Sequence, residues 1–144
     1  MIILDTNVIS EIISKRSPDR NVEDWVIATS LHEMHLTSIT IAELLYGLAL
    51  LPESRRRYRL EHTVLACVDT FQERTLPFDR QAAPYYGSIV ATRRKIGRPI
   101  GVQDAMIAAI ARSRGATLAT RNVKDFEHTG VTLVNPWENS ESAA

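Results

Sequence analysis

The 144-residue chain carries 17 Lys+Arg against 17 Asp+Glu, and 44% of its residues are apolar. That length suits one domain with a core large enough to fold without disulfide or metal staples. The lone Cys67 excludes a disulfide framework and a multi-cysteine zinc site, and no apolar run approaches the ~20 residues of a membrane-spanning helix.

In chain order, the first element is a short apolar strand, Ile2 to Leu4, that ends on Asp5 in Leu4-Asp5-Thr6-Asn7. An unbroken apolar run, without alternation, marks a strand covered on both faces. The opening has no basic segment ahead of a long apolar stretch, so no signal peptide is expected. A cytoplasmic location is expected, and the single cysteine fits it. A weaker strand follows at Leu36 to Ser38. The next helix aligns Leu44, Leu45, Leu48 and Leu51 on one face and stops at Pro52. Leu60, Val64, Cys67, Val68 and Phe71 make a second apolar stripe. It puts the Cys67 thiol against the core as an inert group, while Arg55 to Arg59 face solvent. A third helix carries Ile89, Val90 and Ile96 and ends near Gly97. The fourth carries Met106, Ile107 and Ile110, with Gly115 as its C-terminal cap. Strands at Thr117 to Ala119 and Val131 to Val134 close the pattern. Strands alternating with helices imply βαβ units and a parallel sheet. The domain is expected over residues 1–138, and the small polar residues of 139–144 are expected to be a disordered tail.

The zero net charge conceals a division along the chain. Residues 1–52 hold 7 acids and 3 bases, and residues 53–92 hold 5 and 6. Residues 93–124 hold 1 acid and 8 bases, and residues 125–144 hold 4 acids and no base. Such asymmetry permits an anionic partner at a local patch.

Four acids stand where a strand or loop enters a helix. Asp5 is suited to cap a helix or to point into a ligand site beyond the carboxyl end of a parallel strand; Thr6 and Asn7 are able to cap in its place. Glu43 lies in Thr40-Ile41-Ala42-Glu43, whose Thr-x-x-Glu spacing is that of a capping box. Asp104 is the one acid in the basic stretch and opens an Ala/Ile-rich helix, where the helix dipole favours it. Asp125 follows Asn122 in Thr120-Arg121-Asn122-Val123-Lys124-Asp125, a segment also suited to plain turn chemistry. In a parallel α/β sheet all four gather at one edge. Clustered carboxylates raise one another's pKa unless a cation intervenes. An all-oxygen set without His or Cys suits Mg²⁺ or Mn²⁺ rather than zinc. Such ions promote in-line attack of water on a phosphodiester, with the flanking bases, Arg93, Arg94, Arg98 and Arg121, holding a nucleic-acid backbone.

These motifs carry a resemblance to a known family. Met1-Ile2-Ile3-Leu4-Asp5-Thr6-Asn7, Ser38-Ile39-Thr40-Ile41-Ala42-Glu43-Leu44, Pro99 to Asp104 with Ile107-Ala108-Ala109, Thr120 to Phe126 and Asn135-Pro136-Trp137 occur in one order. In that order the chain resembles a PIN-domain ribonuclease of the VapC/FitB-like toxins of bacterial toxin–antitoxin pairs. The resemblance implies a five-stranded parallel sheet flanked by helices, with Asp5, Glu43 and Asp104 as acids of a Mg²⁺ or Mn²⁺ site. It also implies an RNA substrate, a masking antitoxin, a toxin homodimer and a hetero-oligomer with the antitoxin on operator DNA. Many members carry Asp where this chain has Asn122, and others keep an acid a few residues on; Asp125 is therefore the expected fourth ligand, with Asn122 supporting.

Other features are set aside. His32 and His35 are three apart and do not form a zinc-protease His-Glu-x-x-His. Trp25 and Trp137 are expected as core or interface anchors. A haloacid-dehalogenase-like phosphatase needs a second acid two residues after Asp5, where this chain has Asn7. A PIN-like scaffold that binds RNA or a partner without cutting is the non-enzymatic alternative, and Asn122 is its one support.

Overall fold

Short runs of Ile, Leu, Val and Thr form five strands: β1 (Ile2–Leu4), β2 (Met34–Thr37), β3 (Thr75–Leu76), β4 (Thr117–Ala119) and β5 (Thr132–Val134). The computed structural model describes residues 1–138, so the tail expected at 139–144 lies outside the described residues. The strands form one sheet in the order β3-β2-β1-β4-β5, every pair parallel. Ile3 of β1 sits opposite His35 on one side and Leu118 on the other. Around the sheet pack α1 (Thr6–Ser14), α2 (Arg20–Ala28), α3 (Ser38–Ala49), α4 (Arg55–Thr70), α5 (Ala83–Lys95) and α6 (Val102–Arg114).

Successive strand residues enter opposite cores, as the pleat requires. Ile3 and Leu118 join Ile89, Ile107 and Ile110 on the α5–α6 face. Leu4 and Ala119 join Val8, Val22, Leu44, Leu48 and Val64 beneath α1 to α4. Both faces are covered, which explains why the strands lack a polar alternation. No helix of the described residues is long and apolar enough to cross a membrane.

The boundaries differ from expectation in a few places, each with a local cause. The second strand ends at Thr37, because the Thr37 hydroxyl accepts the Thr40 amide at 3.1 Å and starts α3 at Ser38. Gly115 closes α6 as expected: its φ of 61° is the left-handed conformation open to glycine, and its amide returns to the Ala111 and Arg112 carbonyls. The strand β3 and the helices α1 and α2 were not apparent from periodicity. β3 is two residues long, and α1 and α2 are only nine residues each.

Candidate active site

The chain runs from β1 outward through β2 to β3, then crosses back to place β4 on the other side of β1. The carboxyl ends of β1 and β4 therefore flank the point where strand order reverses, the place where open α/β sheets leave a crevice. Asp5 leaves β1 there and Thr120 leaves β4 beside it, with the Asp5 amide donating to the Ala119 carbonyl at 2.9 Å.

Asp5 is 5% exposed and its carboxylate is fixed by three donors. Oδ1 accepts the Thr6 amide at 2.8 Å, and Oδ2 accepts the Thr120 hydroxyl at 2.8 Å and the Asn7 carboxamide at 3.3 Å. The residue does cap α1, so its capping and site readings are both realised in one side chain. Burial raises its pKa, against the lowering effect of those three donors. Thr120 and Asn7 come from positions 113 residues apart and hydrogen-bond each other at 3.3 Å.

Glu43 is not part of a capping box. The helix begins with Thr37 as its cap, so Glu43 lies beyond the first turn and leaves the cap amide alone. Its Oε2 instead accepts the Thr6 hydroxyl at 2.9 Å, across 37 residues of sequence. Its Oε1 is buried and has no hydrogen-bond partner. A buried carboxylate oxygen left without a donor is costly and needs an explanation. Burial raises the Glu43 pKa, Thr6 opposes the rise, and the Asp5 charge adds to it.

Asp104 stands in the first turn of α6. Its pKa is pushed from 3.8 to about 6, first by burial and then by Asp5, Asp125 and Glu43, with Arg93 acting in the opposite direction. Asp125 lies exposed in a single 3-10 turn, Val123–Phe126, after β4. The four acids, drawn from four distant segments, thus meet in one field of mutual repulsion.

The expected basic residues separate into different roles. Arg93 is corrected from an exposed backbone contact to a buried tie, because it is only 4% exposed. Its Nε donates to the Arg98 carbonyl at 2.6 Å, and its Nη1 donates to the Asp125 and Glu127 carbonyls at 2.7 and 2.9 Å. The Arg98 guanidinium is paired with Glu127 at 2.9 Å. Arg94 and Arg121 are exposed, and the Arg121 guanidinium stacks on the Trp137 ring at 5.3 Å from its centroid. The exposed Asn122 gives its amide N–H to the Thr120 hydroxyl at 3.1 Å, and its side chain makes no cap bond. Thr6, Asn7 and Thr120 orient the acids and went unnoticed as such in the sequence. The only hint was their adjacency to Asp5 and to the end of β4. His32 precedes β2 and His35 lies within it, away from the carboxyl ends of the strands.

Among the described residues no three of the metal-ligating side chains are gathered closely enough to enclose an ion by themselves. A hard divalent cation still fits. Mg²⁺ keeps several waters and takes only one or two carboxylates alongside substrate phosphates, so it needs no closed protein cage. The donors present are all oxygens, and the unpartnered Glu43 Oε1 and the repelled Asp104 are what such an ion relieves.

Comparison with known proteins places the fold and the family. A PIN-domain family model matches residues 2–131. The chain is 43% identical over 142 residues to VapC ribonuclease Y4jK of Sinorhizobium fredii, covering 96% of this chain and 99% of that protein. It is 37% identical over 143 residues to Toxin FitB of Neisseria gonorrhoeae, covering 96% and 100%. Its fold superposes on FitAB bound to an IR36 DNA fragment with a TM-score of 0.91 at 35% identity, covering 97% of this chain and 98% of that one. The chain belongs to the PIN-domain family, and within it to the VapC/FitB-like toxins.

Proposed function

We propose that the chain is a Mg²⁺- or Mn²⁺-dependent endoribonuclease toxin that hydrolyses RNA phosphodiester bonds and is neutralised by a cognate antitoxin. The observation that carries this reading is Asp104 lying within the field of Asp5, Asp125 and Glu43, with Glu43 Oε1 buried and unpartnered. Asp5 and Asp104 would hold the ion, with Glu43 and Asp125 completing the set. Bound there, it would supply charge neutralisation at the phosphate and an easier deprotonation of water.

The chain's own residues do the rest. Thr6, Asn7 and Thr120 lock the Asp5 carboxylate, and Thr6 fixes one oxygen of Glu43 and leaves Oε1 without a protein partner. Water oxygen forms a bond to phosphorus, the bond to the leaving ribose oxygen breaks, and the water proton ends on that oxygen. The exposed cations Arg94 and Arg121 attract the RNA backbone. A second groove, of about 270 Å³, opens beside Thr6 and Glu43 over Leu44, Leu48, Leu60 and Val64, with Arg56 at its side. Its apolar lining suits a segment of a masking antitoxin. The DNA-bound FitAB relative supports extending the pair to a complex on operator DNA, and a toxin dimer belongs to the same reading.

RNA incubated with the protein and Mg²⁺ or Mn²⁺ is expected to be cut, chelation to stop the cutting, and Asp104→Asn to slow it by about 10²-fold or more. Expression without the antitoxin is expected to arrest growth. Equal cleavage by wild type and Asp104→Asn overturns the assignment.

A further inference from the structure

A cleft of about 540 Å³ lies against Asp125 between the turn after β4 and the carboxyl end of β5. Its lining is unlike the groove beside Glu43. Arg121 and Lys124 bring two cations, Asn122 and Asn135 bring two carboxamides, and Val123 and Leu133 bring an apolar surface.

The pairing of those cations is the informative feature. The salt bridges among the described residues engage Lys15, Arg98, Arg114 and the N-terminal amine, and neither Arg121 nor Lys124 takes part in one. The Arg121 guanidinium lies over the Trp137 ring with its central carbon 5.3 Å from the centroid, a cation–π contact that restrains the side chain. Asn135 uses its carboxamide oxygen to accept the Trp137 amide at 3.0 Å, so its NH₂ group keeps its donors. Glu138 adds an acceptor to the same lining. Cations outside any salt bridge, amide donors, one acceptor and an apolar wall are the parts by which an unstacked nucleotide is held: phosphate on the cations, base edge on the amides, base face on the wall. The volume lies within the range of pockets that enclose a small ligand.

From this we infer that the cleft is a single-nucleotide subsite, which seats the nucleotide next to the scissile phosphate and selects its base through Asn122, Asn135 and Glu138. The inference rests on the ribonuclease reading for its substrate, and it supplies what four acids cannot: a preference for one base at the cut.

The test has two arms. In the first, the four ribonucleoside 5′-monophosphates and inorganic phosphate are titrated by NMR into the protein in EDTA. One nucleotide is expected to move the amides of residues 121–125 and 133–135 at lower concentration than the other nucleotides or phosphate. In the second, steady-state cleavage of a single-stranded RNA is measured. Lys124→Ala is expected to raise KM by about 3- to 10-fold with kcat unchanged, and to lower the salt slope by about one. Arg59→Ala, which removes an exposed charge on α4, is expected to leave KM as it was. Nucleotides that leave those amides unmoved overturn the inference. So does a response no stronger than that to phosphate, or to a poly-glutamate peptide, because either marks a plain cation patch. If wild type cuts RNA and Lys124→Ala keeps its KM, the subsite fails and the ribonuclease reading stands. If a nucleotide seats in the cleft of a chain that cuts no RNA, the nucleotide site stands and the ribonuclease reading fails.

Discussion

Asp104 keeps its proton to about pH 6 because burial and three neighbouring carboxylates penalise the charged form. The folded state therefore binds more protons than the unfolded state between the ordinary carboxylate range and pH 6. By linkage, stability falls as pH rises through that window and stays low above it. The full shift corresponds to at most about 3 kcal/mol, and solvent screening at this half-buried group brings it to about 1–2 kcal/mol. Metal-free Asp104→Asn is accordingly expected to be more stable than wild type at pH 7 by about that amount, with the gap closing toward pH 4. Denaturant unfolding at the two pH values checks it; a variant less stable at pH 7 contradicts it. Asp5, Asp104 and Asp125 stand out in the sequence because each lies at a helix cap, a first turn or a turn after a strand, whereas Glu43 lies beyond the first turn of α3. The partners of these acids do not stand out. Thr6 to Glu43 and Thr120 to Asp5 span 37 and 115 residues, and no local spacing encodes such pairs.

At the scale of elements, the position of Asp125 depends on the junction of α5 with the turn after β4. Arg93, in the last turn of α5, binds the carbonyls of Asp125 and Glu127 from one guanidinium nitrogen and that of Arg98 from another. In sequence, Arg93-Arg94-Lys95 looks like one solvated basic face. In the fold, Arg93 turns inward and its neighbours do not, a distinction made by carbonyls about 30 residues away. Removing the side chain breaks three part-buried bonds to carbonyls and leaves a gap where a buried side chain stood, so Arg93→Ala is expected to cost about 2–4 kcal/mol in denaturant unfolding. Arg93→Lys should recover only part of this, since one ammonium cannot reproduce the spread of the guanidinium. A loss below ~0.5 kcal/mol, the scale of a surface substitution, contradicts the tie. The strands and most helices were legible from their apolar runs. β3 was not, because two residues are too short to show a period.

For the molecule as a whole, the balanced charge is a cancellation between two surfaces with different tasks. The parallel order β3-β2-β1-β4-β5 brings acids from distant parts of the chain toward one edge, and the turn after β4 sets Arg121 and Lys124 beside Asp125. An acidic site alone would repel RNA, and under the proposed function a divalent cation would remove that conflict while the flanking bases would attract the backbone. The parallel sheet followed from the strand–helix alternation, and its five strands from the family resemblance. The division of the bases into a buried tie, a paired surface residue and two cleft cations required the packed structure. Calorimetric titration with Mn²⁺ tests the central claim most directly. Wild type is expected to bind the ion at or below millimolar concentration, and Asp5→Asn and Asp104→Asn to lose most of that binding. A wild-type chain that takes up no Mn²⁺ at millimolar concentration, or variants that bind as well as wild type, would contradict the account.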